Sequence, residues 1–133
     1  MKFCSDTWFM IKLSEKDTKA LEIKRSIIDG KDRLIVPSIV ITELFKKFMK
    51  KGKRESDMDN FLRNLTASEK VKIIFLDEAV AREAAKVSIT FNVPIVDSII
   101  AATCKLSDCD KLLTDDSDFK ILHKRKYLKV ESW

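Results

Sequence analysis

Four carboxylates, Asp6, Glu43, Asp97 and Asp116, stand where strands and helices are expected to meet. Each has a plain structural role on offer. Asp6 and Asp97 suit helix N-caps, Asp116 suits an Asx turn, and Glu43 suits the favourable field near a helix N-terminus. Together, all four fall at one end of the expected sheet. Two carboxylates ~4 Å apart repel by about 4 kcal/mol at an effective dielectric of about 20, so such a cluster takes up protons or binds cations. All-oxygen ligation favours Mg²⁺ or Mn²⁺. A cation held this way polarises a phosphoryl oxygen and acidifies an attacking water, which makes phosphodiester hydrolysis the expected chemistry.

Composition removes the rivals. One histidine, His123, leaves little material for zinc sites or a histidine-dependent triad, and two glycines exclude a P-loop or dinucleotide fingerprint. Cys4, Cys104 and Cys109 are odd in number and lie in or beside apolar segments, which predicts reduced, partly buried thiols rather than disulfides. The formal net charge of +5 is compatible with a polyanionic partner. No apolar run approaches the ~20 residues of a membrane span and no signal peptide precedes the first element, so a cytoplasmic, non-membrane protein is expected.

The elements that must position these carboxylates emerge from periodicity. A length of 133 residues predicts one domain, residues 1–133. Strands are expected at 1–5, 33–36, 72–76, 111–114 and 127–130. Helices are expected from Asp6-Thr7 through Leu13, at 15–29 ending on Gly30, from a Ser38 cap through Met49, at 53–68, at 77–91, from Asp97 onward, and briefly at 118–122. The stripe Ile41, Leu44, Phe45, Phe48 and Met49 marks the buried face of the helix that carries Glu43. Alternation of strand and helix predicts an α/β fold: right-handed crossovers and a mainly parallel sheet of about four to five strands, covered on both faces, with ligands beyond the carboxyl ends of the strands.

Lys46, Lys47, Lys50, Lys51, Lys53 and Arg54 crowd the end of the Glu43 helix, and His123-Lys124-Arg125-Lys126 comes after the last acidic turn. Both runs could be solvated faces. Their attachment to acidic elements points instead to a rim that attracts the phosphates of a polyanionic partner with little base preference. Met58, Phe61, Leu62 and Leu65 give residues 53–68 a packing face.

Four stretches, in order and across nearly the whole chain, carry a resemblance: Asp6-Thr7; Val36-Pro37-Ser38-Ile39-Val40-Ile41-Thr42-Glu43-Leu44; Val96-Asp97-Ser98-Ile99-Ile100-Ala101-Ala102-Thr103; and Leu113-Thr114-Asp115-Asp116-Ser117-Asp118-Phe119. They resemble the four motifs of the PIN-domain family, and by size the chain is similar to stand-alone VapC toxins of VapBC toxin–antitoxin pairs. The resemblance implies a three-layer α/β/α sandwich and an Mg²⁺- or Mn²⁺-dependent endoribonuclease. It carries the family's acidic residues onto Asp6, Glu43, Asp97 and Asp116, with Asp6 and Asp97 as main metal ligands and Asp118 and Thr114 in support. It further implies a small VapB-like antitoxin and a homodimer. One position departs from the pattern: Trp8 stands where the family usually has Ser or Asn, and an indole offers only an N–H donor. A housekeeping RNA-processing nuclease and a catalytically weak binding module are the alternatives. A phospho-receiver or an aspartyl phosphatase fits less well, because the latter needs a second Asp where Trp8 stands.

Overall fold

The computed structural model describes residues 1–133. β1 (Lys2–Ser5), β2 (Arg33–Pro37), β3 (Val71–Ile74), β4 (Lys111–Leu113) and β5 (Val130–Glu131) form one sheet in the order β3-β2-β1-β4-β5, and every pairing is parallel. Phe3 pairs with Leu34 on one side and Lys111 on the other, so the least strand-like of the expected strands is the centre of the sheet. Consecutive residues of a strand face opposite sides. Phe3 and Cys4, Leu34 through Val36, and Leu112 with Leu113 are all buried, so both faces are covered, as the alternation predicts.

The covering helices are α1 (Thr7–Ser14), α2 (Thr18–Ile28), α3 (Ser38–Lys50), α4 (Glu55–Thr66), α5 (Glu78–Phe91), α6 (Ile95–Leu106) and the short α7 (Lys120–Lys124), the last preceded by a 3-10 turn at Ser117–Phe119. α5 and α6 pack on each other, while α1 contacts both α2 and α3, and α3 meets α4 and α6. The main core is a cluster of 26 buried residues running from Phe3 to Leu122, with a small second cluster of Val80, Ala84 and Ala102 between α5 and α6. No single helix is long and apolar enough to cross a membrane.

The elements stand close to where periodicity puts them, with local corrections. Pro37, not Ser38, precedes α3; the Ser38 hydroxyl instead accepts from the Leu76 N–H at 3.3 Å, tying the helix to the loop after β3. Met49 is exposed and Val40 joins Leu44 and Phe48 in the buried stripe, because positions 40, 44 and 48 recur one turn apart and Met49 lies one step round the helix from them. The last strand is Val130–Glu131 rather than 127–130: Tyr127 is held outside the ladder, its hydroxyl donating to Glu83 at 2.7 Å.

The corner between α5 and α6 sets the direction of the helix that carries Asp97. Asn92 ends α5 in the left-handed conformation (φ 55), a geometry Asn tolerates, and Pro94 begins α6 from extended backbone. The hydroxyls of Ser88 and Ser98 both donate to the Val93 carbonyl, at 2.9 and 3.1 Å, which pins the turn from both helices.

Leu112 is fully buried in β4 and belongs to the main core. Leu112→Ala is expected to lower the unfolding free energy by about 2–5 kcal/mol in urea denaturation. Phe75→Ala, at a side chain 74% exposed, should change it by less than ~0.5 kcal/mol. Comparable losses for the two would contradict the assigned core.

Candidate active site

All parallel strands point their carboxyl ends the same way, and β1 lies between chain segments wound in opposite directions: β2 and β3 to one side, β4 and β5 to the other. That switch point between β1 and β4 opens a crevice at the carboxyl edge. Asp6 leaves β1 at this edge and Asp116 lies a short turn beyond β4. α3 and α6 bring Glu43 and Asp97 over it. The four carboxylates share one open cleft of about 240 Å³, with Thr7, Trp8 and Lys47 also in its wall.

Asp6 is the floor. It is 5% exposed, and both its oxygens are engaged: Oδ1 accepts from the Thr7 N–H at 2.6 Å, capping α1, and Oδ2 accepts from the Thr114 hydroxyl at 2.6 Å. Thr114 also accepts from the Asp116 N–H at 3.0 Å, so one buried hydroxyl sets both the first and the last acidic residue. Burial raises the Asp6 pKa, the hydrogen bonds from Thr114 and Thr7 oppose this, and the charges of Glu43 and Asp116 add to the rise.

Glu43 is oriented by a residue to which the sequence alone assigns no role. The Thr7 hydroxyl donates to Glu43 Oε1 at 2.7 Å, joining α1 to α3. The one available signal is its place beside Asp6. Trp8, the departure from the family pattern, lines the cleft and stacks edge-on against Trp133, with ring centroids 4.8 Å apart. The Trp133 indole N–H donates to Asp17 at 2.8 Å.

Asp97 is not the N-cap of its helix, as its sequence position suggests. Pro94 occupies that place, and Asp97 sits in the first turn of α6, where the helix field favours an acid and frees its carboxyl to face the cleft. Asp97, Asp116 and Asp118 each offer an oxygen, all within 4.8 Å of one another. Asp118, expected only in support, thus belongs to the tightest acidic group. Asp116 accepts from the Asp118 N–H at 2.9 Å, which caps the 3-10 turn and fixes the spacing. The Asp97 carboxyl is pushed up to about 7, first by burial, then by the charges of Asp116 and Asp6, and by a proton shared with Asp118. Such a site is short of positive charge. An octahedral cation with oxygen ligands at ~2.1 Å needs cis oxygens roughly 3.0 Å apart and trans oxygens roughly 4.2 Å apart, a range these three groups can meet. The donor set fits Mg²⁺ or Mn²⁺.

The basic residues separate into two places. Lys47, one turn beyond Glu43, reaches the cleft. Lys50, three positions from Lys47 and four from Lys46, continues the basic stripe along α3. Lys53 lies over the Phe48 ring at 4.7 Å and Arg54 pairs with Asp57 at 3.5 Å, so neither is aimed at the acids. The run His123–Lys126 is not on the acidic rim. His123, Lys124 and Lys126 line a separate cleft with Met1 and Lys111, at the amino ends of the strands. α7 carries the chain from Asp116 back across the molecule, which adjacency in sequence does not reveal.

A family model for the PIN domain matches residues 3–124. Comparison with curated proteins finds no match. Among solved structures, VapBC2 from Rickettsia felis bound to a promoter DNA fragment superposes with a TM-score of 0.75 at 16% identity, covering 100% of this chain and 99% of that one. VapBC-1 from nontypeable Haemophilus influenzae gives 0.69 at 21% identity, covering 100% and 98%. VapC20 from Mycobacterium tuberculosis, a sarcin–ricin loop cleaving toxin, gives 0.66 at 14% identity, covering 88% and 92%. At identities this low, the likeness establishes a shared fold.

The raised Asp97 carboxyl has a consequence for stability in metal-free protein. Unfolded, it titrates near ~3.9; folded, at about 7. Between those values the folded state binds more protons, so stability is greatest at the acid end and falls as pH rises toward about 7. Asp97→Asn should flatten this slope in urea midpoints measured across that range without divalent ions. A variant with the same slope as the wild type would refute the assignment.

Proposed function

The chain belongs to the PIN-domain family, and from that premise we propose that it is a divalent-metal-dependent endoribonuclease, the toxin of a two-protein toxin–antitoxin pair. The observation that carries the reading is the group Asp97, Asp116 and Asp118, whose carboxylate oxygens lie within 4.8 Å of one another at the switch point of the sheet. The structural neighbours include VapBC complexes and a toxin described as cleaving the sarcin–ricin loop, which supports an RNA substrate and a small antitoxin partner.

Asp97, Asp116 and Asp118 would hold Mg²⁺ or Mn²⁺, with Asp6 and Glu43 around them. The bound cation supplies Lewis-acid polarisation of the phosphate and a more acidic water. The chain's own residues do the rest. Asp6, held by Thr7 and Thr114, is the fixed negative base of the cleft. Glu43, held by the Thr7 hydroxyl, faces the same space as an acceptor that can orient a water and take its proton. Lys47 places an ammonium at the rim for a substrate phosphate, and Lys46 and Lys50 add positive charge along α3. None of these contacts reads a base edge, so they position RNA without choosing its sequence.

Cleavage of a single-stranded RNA in Mn²⁺ tests the assignment. Asp97→Asn keeps the shape and removes the charge; its rate should fall by at least the ~10–100-fold that loss of an outer partner costs a metal site. Equal cleavage by both proteins would sink the reading. Thr7→Val, which removes the hydroxyl that holds Glu43, should lower kcat by roughly 10–100-fold while leaving the fold intact by circular dichroism. For the rim, Lys47→Ala should reduce the slope of log affinity against log salt by about 1, measured in Ca²⁺ or with Asp97→Asn to suppress turnover. Lys124→Ala, at the other end of the sheet, should leave that slope as it was.

A further inference from the structure

All three cysteines of the chain meet at one point. Cys4 comes from β1, Cys104 from the last turn of α6, and Cys109 from the loop that leads into β4, yet their Sγ atoms all lie within 4.8 Å of one another. All three are free thiols. Cys4 and Cys104 are buried, whereas Cys109 is half-buried and forms part of the wall of the basic cleft at the amino ends of the strands, a space of about 860 Å³. The Cys109 N–H donates to the Cys104 carbonyl at 3.1 Å, which closes the turn after α6 and brings the two thiols together. Lys2 spans the same turn, its Nζ donating to the Ser107 carbonyl at 2.9 Å.

Buried cysteine commonly serves as a small apolar filler. Filling alone gives no reason for thiols from three separate elements to face one another, nor for the third to open onto a cleft. We propose that Cys4, Cys104 and Cys109 form a three-thiolate site for a soft d10 cation, Zn²⁺ or Cu⁺. At a metal–sulfur bond of ~2.3 Å, a trigonal set of thiolates needs sulfurs roughly 4.0 Å apart, within the observed spacing. Thiolate ligands select these ions over Mg²⁺ and Mn²⁺, so the site and the acidic cleft would sort metals by hardness. The cleft at Cys109 gives the ion a way in and leaves a fourth position for water. Three thiolates around one such cation leave a net negative charge. Lys2 and the cleft residues Lys105, Lys124, Lys126 and Lys129 outnumber Asp108 and Asp110 in the same wall, while Lys111 pairs with Glu131 at 2.8 Å, so the surroundings carry a net positive charge.

The thiol site shares no residue with the acidic cleft, so its test stands apart from RNA cleavage. The full, reduced, metal-free chain is titrated without oxygen, first with Co²⁺ as an optical probe and then with Zn²⁺, and separately with Cu⁺ against a chromophoric chelator. A thiolate-to-cobalt charge-transfer band should saturate at one ion per chain and disappear as Zn²⁺ displaces Co²⁺. Reaction with a thiol reagent should slow when Zn²⁺ or Cu⁺ is bound. Cys109→Ser, at the most accessible thiol, should abolish the band while retaining the wild-type circular dichroism; Asp97→Asn should keep it. Wild-type protein that shows neither the cobalt band nor Cu⁺ capture overturns the site whatever the variants do. So does a band that survives Cys109→Ser.

Discussion

The mutual repulsion of carboxylates is the constraint on which this structure turns. Asp97, Asp116 and Asp118 have oxygens within 4.8 Å of one another, and Asp6 and Asp116 are close enough for their charges to raise the Asp97 pKa. Free side chains would move apart. Here they cannot, because each is attached where backbone is already fixed: Asp6 as the cap of α1, Asp97 in a first helical turn behind a pinned corner, and Asp116 as the cap of a 3-10 turn. Local hydrogen bonds that would form in any helical protein thus also hold charges together against their electrostatic preference. The cost falls on the titration of Asp97, and it is relieved by a proton or a cation.

Three elements carry most of this arrangement. β1 leads into Asp6, β4 leads to Asp116, and α6 holds Asp97 in its first turn. Behind those acids, the same three segments carry Cys4 within β1, Cys109 just before β4 and Cys104 in the last turn of α6. The hard donors and the soft donors of the chain are therefore set at two levels of one rigid unit. Cys104 lies seven positions beyond Asp97, two helical turns, so both occupy the same stripe of α6. Parallel strands produce this polarity directly. Residues that enter the strands gather toward one edge of the sheet, and residues that leave them gather at the other.

Much of the site could be read in the sequence because the relevant residues lie at element boundaries, where strand and helix periodicity is informative. Asp6, Glu43, Asp97 and Asp116 stand out as a group for that reason, and alternation implies the parallel sheet. Other features depended on three-dimensional closure. Ser38 looks like a cap, but its hydroxyl accepts from the Leu76 N–H in the loop after β3, and Pro37 takes the position before the helix. His123–Lys126 looks like part of the acidic rim until α7 takes it to the opposite edge. The cysteines are separated by as much as 105 positions between Cys4 and Cys109, and no local pattern links them.

The distinction between Asp6 and Asp118 shows why residue type and spacing stop short of role. By position Asp6 is the natural first ligand, since it leaves the central strand at the switch point. Yet its oxygens accept from Thr7 and Thr114, and its side chain is almost fully enclosed. A carboxylate so engaged is rigid, although burial still outweighs those hydrogen bonds and leaves its pKa raised. Asp118 is exposed; its N–H donates to Asp116 and its carboxyl shares a proton with Asp97. Its oxygens remain available to join those of Asp97 and Asp116. Two aspartates of equal charge therefore stand in different surroundings: one is held by hydroxyl and amide donors and the other is not. Thr114 joins the two ends of the group, donating to Asp6 at the floor while accepting from the Asp116 N–H at the opening.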